Sequence, residues 1–263
     1  MGSAKVQGEL WSLAAQDWAN LQEPTAEPLW QAMLDAVKVG NGTHFFDAGC
    51  GGGGASIIAA QRGAIISGLD ASDALIVIAR ERIPQGDFRV GDLESLPFSV
   101  GVFDAVIASI SVQYTADPVA ALRELRRVCA PNGYIVVSTW GAPENCEQRV
   151  VFKAVRDVQS PPPSGGGPFA LSASGALEGL IEQAGLKVAG RGEVDCPFEY
   201  QDLETHWRAQ RSGGPFQAAI RSVGEGRLRA AVEQAIGPYR TSTGGVRLEN
   251  RFLYVTATAW PNF

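Results

Sequence analysis

The sequence predicts an open α/β sheet covered by helices. Two observations carry this expectation. The apolar run His44-Phe45-Phe46-Asp47-Ala48 opens into Gly49-Cys50-Gly51-Gly52-Gly53-Gly54, and residues 55–61 behind it read as a helix. Strand, tight glycine turn and helix form the entry to such a sheet. Downstream, short β-branched runs alternate with amphipathic helical patterns, the order of a mostly parallel sheet. The glycines matter physically: without a Cβ they adopt φ > 0 and let a ligand approach bare backbone. The free N–H groups of the following helical turn then face that ligand.

Taken in order, residues 9–38 read as helical, with Trp11, Ala14, Ala15 and Trp18 on one apolar face. Pro24 and Pro28 interrupt it before a second helix over 29–37. Trp11 and Trp18 suit either the core or the wall of a ligand site. Gly40-Asn41-Gly42 is a turn, followed by the first strand and its glycine loop. A second strand over 64–69 ends in Asp70, which follows the loop at roughly the twenty-residue spacing of a carboxylate that grips ribose hydroxyls. The alternative role for Asp70 is to cap the helix beginning near Ser72. A helix over 74–83 leads to a short strand at 88–90 and the acid Asp92. Residues 103–109 form a strand buried on both faces. The loop that follows, 110–118, lies where open sheets bind ligands, beyond the carboxyl ends of their strands.

Pro118 starts a helix to residue 128, and Ala130-Pro131-Asn132-Gly133 turns into a fifth strand over 134–140. A helix over 146–158 precedes a proline- and glycine-rich stretch at 160–168 that suits the hinge of a mobile flap or a linker. Ser172 or Ser174 starts another helix, and a sixth strand covers 186–194. Helical pieces over 201–210, 216–223 and 226–236 follow, punctuated by Gly213-Gly214-Pro215 and Gly237-Pro238. Residues 247–258 read as one final strand.

Composition narrows the function. The chain of 263 residues is long enough for one α/β core with a small cap. With 45% hydrophobic and 19% charged residues it is a globular sequence. Its net charge of −6, from 22 basic and 28 acidic residues, argues against nucleic acid as the partner. No apolar run is long enough to span a membrane, and the first residues lack the apolar core of an export signal. The four cysteines are scattered and there are two histidines. No metal site is therefore expected, and a reducing, cytoplasmic setting is.

Two ligands compete for the glycine loop. Gly49, Gly51 and Gly54 fit the dinucleotide pattern G-x-G-x-x-G, while Asp47, Gly49, Gly51 and Gly53 fit the more specific acid-x-G-x-G-x-G. An acid two residues before the first glycine repels a pyrophosphate and suits a ligand that carries an ammonium group. At these residues, and again at Asp70, Asp92-Leu93, Phe103-Asp104 and 131–140, the chain resembles the class I S-adenosylmethionine (SAM) dependent methyltransferases. The resemblance is strong over 44–140 and loose elsewhere.

It implies a Rossmann-like, seven-stranded, mostly parallel sheet with an antiparallel last strand and a helical cap insertion. It also implies a lid over 1–40, a cofactor-binding core over 41–195 and 246–263, and substrate-cap segments at 141–171 and 196–245. The cofactor would be SAM, leaving S-adenosylhomocysteine (SAH). Its ligands would be Trp18, Asp47, Gly49, Cys50, Gly51, Gly53, Asp70, Ala71, Asp92, Leu93, Ser109 and Ile110. Asp92 would face the adenine amine and Leu93 its ring, while Ser109 and Ile110 would lie by the methionine part. The partner would be a small molecule, with Trp207, Phe216, Phe198, Tyr200 and Tyr239 as candidate wall residues and Gln113 and Tyr114 near the acceptor. His206 and Tyr114 are the leading candidates to handle an acceptor proton, with Glu199 and Tyr200 behind them. Two alternatives stay open: a SAM-fold enzyme of cyclisation or rearrangement, and a nicotinamide dehydrogenase.

Overall fold

The computed structural model describes residues 3–160 and 167–259. An N-terminal segment comprises α1 (Ala4–Ser12), α2 (Ala15–Asp17), a π-helical turn (Trp18–Gln22), a 3₁₀ turn (Glu23–Ala26) and α3 (Glu27–Ala36). The core follows as β1 (His44–Ala48), α4 (Gly54–Gln61), β2 (Ile65–Asp70), α5 (Asp73–Arg82), β3 (Asp87–Val90), β4 (Phe103–Ser109), α6 (Pro118–Val128) and β5 (Cys129–Trp140). Then come α7 (Arg149–Asp157), α8 (Ala176–Gln183), β6 (Lys187–Asp195), β7 (Phe198–Tyr200), α9 (Leu203–Arg211), α10 (Gly214–Val223), α11 (Glu225–Ala235), β8 (Val246–Leu248) and β9 (Arg251–Thr258).

Seven strands form one sheet in the order β3-β2-β1-β4-β5-β9-β6. β1 through β5 are mutually parallel, and β9 slots antiparallel between β5 and β6. This is the seven-stranded, mostly parallel sheet with an antiparallel last strand that the sequence led us to expect. The order reverses between β1 and β4, so their carboxyl ends open the crevice in which such sheets bind ligands. Phe45, Val136 and Ile107 pack on one face against Leu29, Met33 and Leu34. Phe46, Val106 and Ile135 pack on the other against Leu122, Leu125, Leu177 and Ile181. Burial on both faces explains why these strands read as continuous apolar runs.

Several boundaries differ from the sequence reading. Pro28 lies within the first turn of α3 and does not precede it; its missing N–H is one that no helix start can pair. The turn at 130–133 survives as an irregularity inside β5, where pairing jumps from Phe103↔Cys129 to Ala105↔Tyr134 and Asn132 takes φ +67°. α8 starts at Ala176 behind Gly175, not at Ser172 or Ser174. The single strand expected over 247–258 is broken. Buried Asn250 ends one piece by accepting at Oδ1 from Gln148 N and, at its carbonyl, from Cys196 N. β8 thereby pairs with β7, a two-stranded ribbon that the sequence did not suggest. The hinge read at 160–168 falls, over 161–166, outside the described residues.

One packing detail gives a test. Gly54 opens α4 directly under Trp30, whose indole Nε1 donates to Ser109 Oγ at 3.1 Å. A Cβ at position 54 would lie 2.4 Å from the far edge of that ring. Helix propensity returns at most about 1 kcal/mol for alanine, whereas overpacking costs about 1–3 kcal/mol. We expect Gly54→Ala to lower the melting temperature by several degrees in a thermal melt.

Candidate active site

One large cavity, enclosing about 1460 Å³ including its mouth, opens at the carboxyl ends of β1, β2, β4 and β5. Its two halves have different chemistry. One half is carboxylate-rich and lies along the glycine loop. Asp47, 2% exposed at the end of β1, accepts from Ser56 Oγ at 2.8 Å. Burial pushes its carboxyl up to about 7, with Glu23 and Asp70 adding repulsion against the pull of the Ser56 hydroxyl. Asp70 at the end of β2 accepts from Gly51 N and Ser72 N, each at 2.9 Å. Burial raises it too, against those two N–H bonds. The cap of α5 is Ser72, whose Oγ accepts from Leu75 N. Asp70 is thus not the helix cap; it ties the glycine loop to the second strand.

Glu23 is the residue that the sequence did not reveal. It reaches out of the N-terminal segment, accepts from Gly52 N at 2.7 Å and pairs with Arg82 Nη1 at 2.8 Å. Arg82 also donates to the carbonyls of Gly52 and Ala19. Burial pushes Glu23 up to about 7 despite this pairing. Gly51 makes room for it: at φ +55° its missing Cβ would lie 2.5 Å from Glu23 Oε1. A lone glutamate before Pro24 carries no sequence signal, because the arginine that holds it is far away in the chain.

The structure brings the other expected cofactor residues together. Trp18, Gly49, Cys50, Gly51, Ala71, Asp92, Leu93, Ser109 and Ile110 all line the cavity. Gly53 does not; it caps α4 in the left-handed conformation, φ +85°. Burial holds the Cys50 thiol well above its usual range, so it stays neutral. Ile110 takes φ +54°, a conformation that a β-branched residue adopts only under constraint and one that clusters at functional sites. Trp11 and Trp18 meet edge to face at 4.6 Å and serve both roles considered for them, packing on α5 and walling the cavity.

The second half is apolar. Trp140 sits among Phe152, Phe198 and Phe252 with ring centroids 4.5–5.9 Å away, and Phe216 of α10 also lines the cavity. Of the wall aromatics anticipated, Phe198 and Phe216 line this chamber. Trp207 and Tyr200 are buried outside the lining, and Tyr239 packs against the same apolar cluster. Trp140, Phe152 and Phe252 were missed because they converge from three separate elements, β5, α7 and β9.

The proton-handling candidates fare unequally. Tyr114 lines the cavity, its ring 5.5 Å from that of Trp11, and burial raises its phenol. It is therefore a neutral hydrogen-bonding group there. His206 is a correction. It does not line the cavity, but lies fully buried one turn before Gln210 with its ring 5.1 Å from Tyr200. Neither nitrogen has a hydrogen-bond partner among the described residues, and burial pushes the imidazole down to about 4. Glu199 is exposed and paired with Arg247, and Gln113 also stands outside the lining.

The carboxylate half fits a cation. Asp47, Glu23 and Asp70 have one buried-side guanidinium, Arg82, between them; otherwise they are held by neutral donors. A doubly anionic pyrophosphate finds no matching charge among the described residues that line it.

A family model described as a methyltransferase domain matches residues 46–137. An uncharacterized Mycobacterium tuberculosis protein is 33% identical over 135 residues, 50% of this chain and 48% of its own. The malonyl-[acyl-carrier protein] O-methyltransferase of Erwinia pyrifoliae is 36% identical over 121 residues, 46% and 45% of the two chains. The chain spans about half the length of these curated relatives. In fold it resembles a Bacillus halodurans putative methyltransferase (TM-score 0.59, 17% identity, 88% of this chain and 99% of that one). It also resembles the [4+2]-cyclase SpnF (0.55, 20%, 89% and 80%). A third is the Streptomyces coelicolor geranyl diphosphate C-methyltransferase, solved with SAH (0.52, 16%, 89% and 79%). Among the described residues no helix is long and apolar enough to cross a membrane. The glycine loop, the strand-end acids and this sheet order thus coincide with the stretch, residues 46–137, that matches the methyltransferase-domain model.

Proposed function

We propose that the chain transfers the methyl group of SAM to a small organic acceptor seated in the aromatic chamber. The observation that supports this most is the division of one cavity into a carboxylate-rich half and an apolar half. When bound, the cofactor supplies an electrophilic methyl group on a cationic sulfur. Asp70 has lone pairs left for two ribose hydroxyls after accepting from Gly51 and Ser72. Asp92 accepts from the adenine amine, with Leu93 on the ring. Asp47 and Glu23 face the ammonium group. Trp18, Ser109 and Ile110 wall the space beside the methionine part, and α1 through α3 act as a lid. The aromatic walls exclude water and hold the acceptor; such positioning lowers a barrier by roughly 7–11 kcal/mol. Among the described residues lining the apolar half none carries a charge.

The SpnF likeness keeps one other reading, in which the same cavity folds a substrate for cyclisation. Incubating the protein with SAM and a metabolite extract distinguishes them: methyl transfer forms SAH, and cyclisation does not.

Cofactor binding carries its own pH signature. Burial holds Asp47 and Glu23 near 7, and a cation beside them favours their ionised forms, so binding releases protons. Affinity for SAH should rise from pH 6 to 7 by about fivefold per carboxylate. It should level off above about pH 7, once both carboxylates are ionised in the free protein as well. Calorimetry in two buffers of different ionisation heat measures the released protons. Pyrophosphate ligands such as NAD should show no heat.

A further inference from the structure

We infer that the acceptor is an uncharged, flat, apolar molecule whose hydroxyl or N–H group donates a hydrogen bond to Gln148 Oε1. The inference deepens the methyl-transfer reading and rests on it. A directed chain of hydrogen bonds carries the argument. Thr25 Oγ1 donates to Gln22 O at 2.7 Å, which leaves its oxygen to accept from Gln22 Nε2 at 3.3 Å. The Gln22 amide is thereby oriented, and its Oε1 accepts from the Tyr200 hydroxyl at 2.8 Å. Tyr200 Oη accepts in turn from Gln210 Nε2 at 3.4 Å. Gln210 Oε1 is then left to accept from Gln148 Nε2 at 2.6 Å. Each link fixes the polarity of the next, because an amide offers one accepting and one donating end.

The chain ends on Gln148 Oε1, a buried oxygen with no hydrogen-bond partner among the described residues. Gln148 is 2% exposed and lines the cavity at the start of α7, next to Phe152. A buried, unpaired carbonyl oxygen costs free energy that a ligand donor restores. It offers nothing to an anion. The charged residues lining the cavity, Glu23, Asp47, Asp70 and Asp92, all stand in the other half and are matched to the cofactor. An acidic acceptor would meet no countercharge, and a donor-free hydrocarbon would leave Oε1 unpaired. A neutral aromatic molecule with one donor satisfies both the walls and the oxygen. Because the relay runs through Gln22, Tyr200 and Gln210, this oxygen is held in place by three separate segments of the chain.

The test uses the full chain loaded with SAH and three small probes: indole, its donor-free isostere benzothiophene, and an indole carboxylate. Binding is read by calorimetry. Indole should bind about tenfold or more tightly than benzothiophene, and the carboxylate at least about tenfold more weakly than indole. In Gln148→Leu, indole and benzothiophene should bind alike while SAH affinity stays at the wild-type value. Equal binding of indole and benzothiophene to the wild type, no binding of indole, or a preference that survives Gln148→Leu would each overturn the inference. SAH affinity is measured first, in the wild type. Failure there overturns the methyl-transfer reading itself, whereas normal SAH binding without a donor preference overturns the role of Gln148 alone. The wild-type comparison stands even if the leucine variant fails to fold.

Discussion

Asp70→Ala is expected to weaken SAH binding at least about 100-fold while leaving the protein folded. In the proposed complex the Asp70 carboxylate accepts from two ribose hydroxyls. Hydrogen bonds to a charged group contribute about 1.5–3 kcal/mol each, so losing both exceeds the 2.7 kcal/mol or so that a hundredfold change represents. The same side chain also holds Gly51 N and Ser72 N, so the loop that receives the cofactor loosens as well. Asp92→Ala removes one contact at the far end of the same ligand and should cost about tenfold. Isothermal calorimetry supplies both numbers, and circular dichroism verifies the fold. Binding by Asp70→Ala within threefold of the wild type would refute the ribose role.

The second large effect concerns stability. His206 has a folded pKa of about 4, below its ordinary 6.5, because burial disfavours the imidazolium. Between pH 6.5 and 4 the unfolded chain therefore binds a proton that the native state excludes. Stability is lost as pH falls through that window, by about 3 kcal/mol from this group. Asp47 and Glu23 act in the opposite sense. Their folded pKa values, about 7, stand above the usual 3.8 and 4.5, so the native state takes up their protons first and gains stability on acidification. The histidine contribution is isolated by comparison with His206→Leu. Urea midpoints for the two proteins should diverge in favour of the variant by about 3 kcal/mol between pH 7 and pH 4. A constant difference across that range would place the imidazole in contact with water or a partner.

The sequence was most legible where local patterning and tertiary role coincide. The glycine loop, Asp47, Asp70, Asp92 and Leu93 sit at strand ends, and a strand end in a parallel sheet is already a position in the crevice. The strands with two buried faces were equally plain, because continuous apolar runs leave little choice. Glu23, Gln148 and Gln210 were not legible. Each takes its role from a partner far along the chain: Arg82 for the first, and each other for the glutamines. His206 shows the converse. Its residue type suggested a proton carrier, but its burial was decided by how α9 packs, which no spacing in the sequence expresses. The break at Asn250 was hidden for the same reason: residues 247–258 keep their alternation across it, and what ends the pairing is hydrogen bonds to Gln148 and Cys196.

The position of β9 has a consequence for biosynthesis. β6 emerges from the ribosome well before β9, yet its place in the sheet exists only through β9. Until the last strand is translated, the edge of β5 stays open and β6 has no neighbour to dock on. The nascent chain thus passes through an interval in which two unpaired strand edges are exposed together. Sheet completion thus waits on β9, which supplies the pairing of both edges.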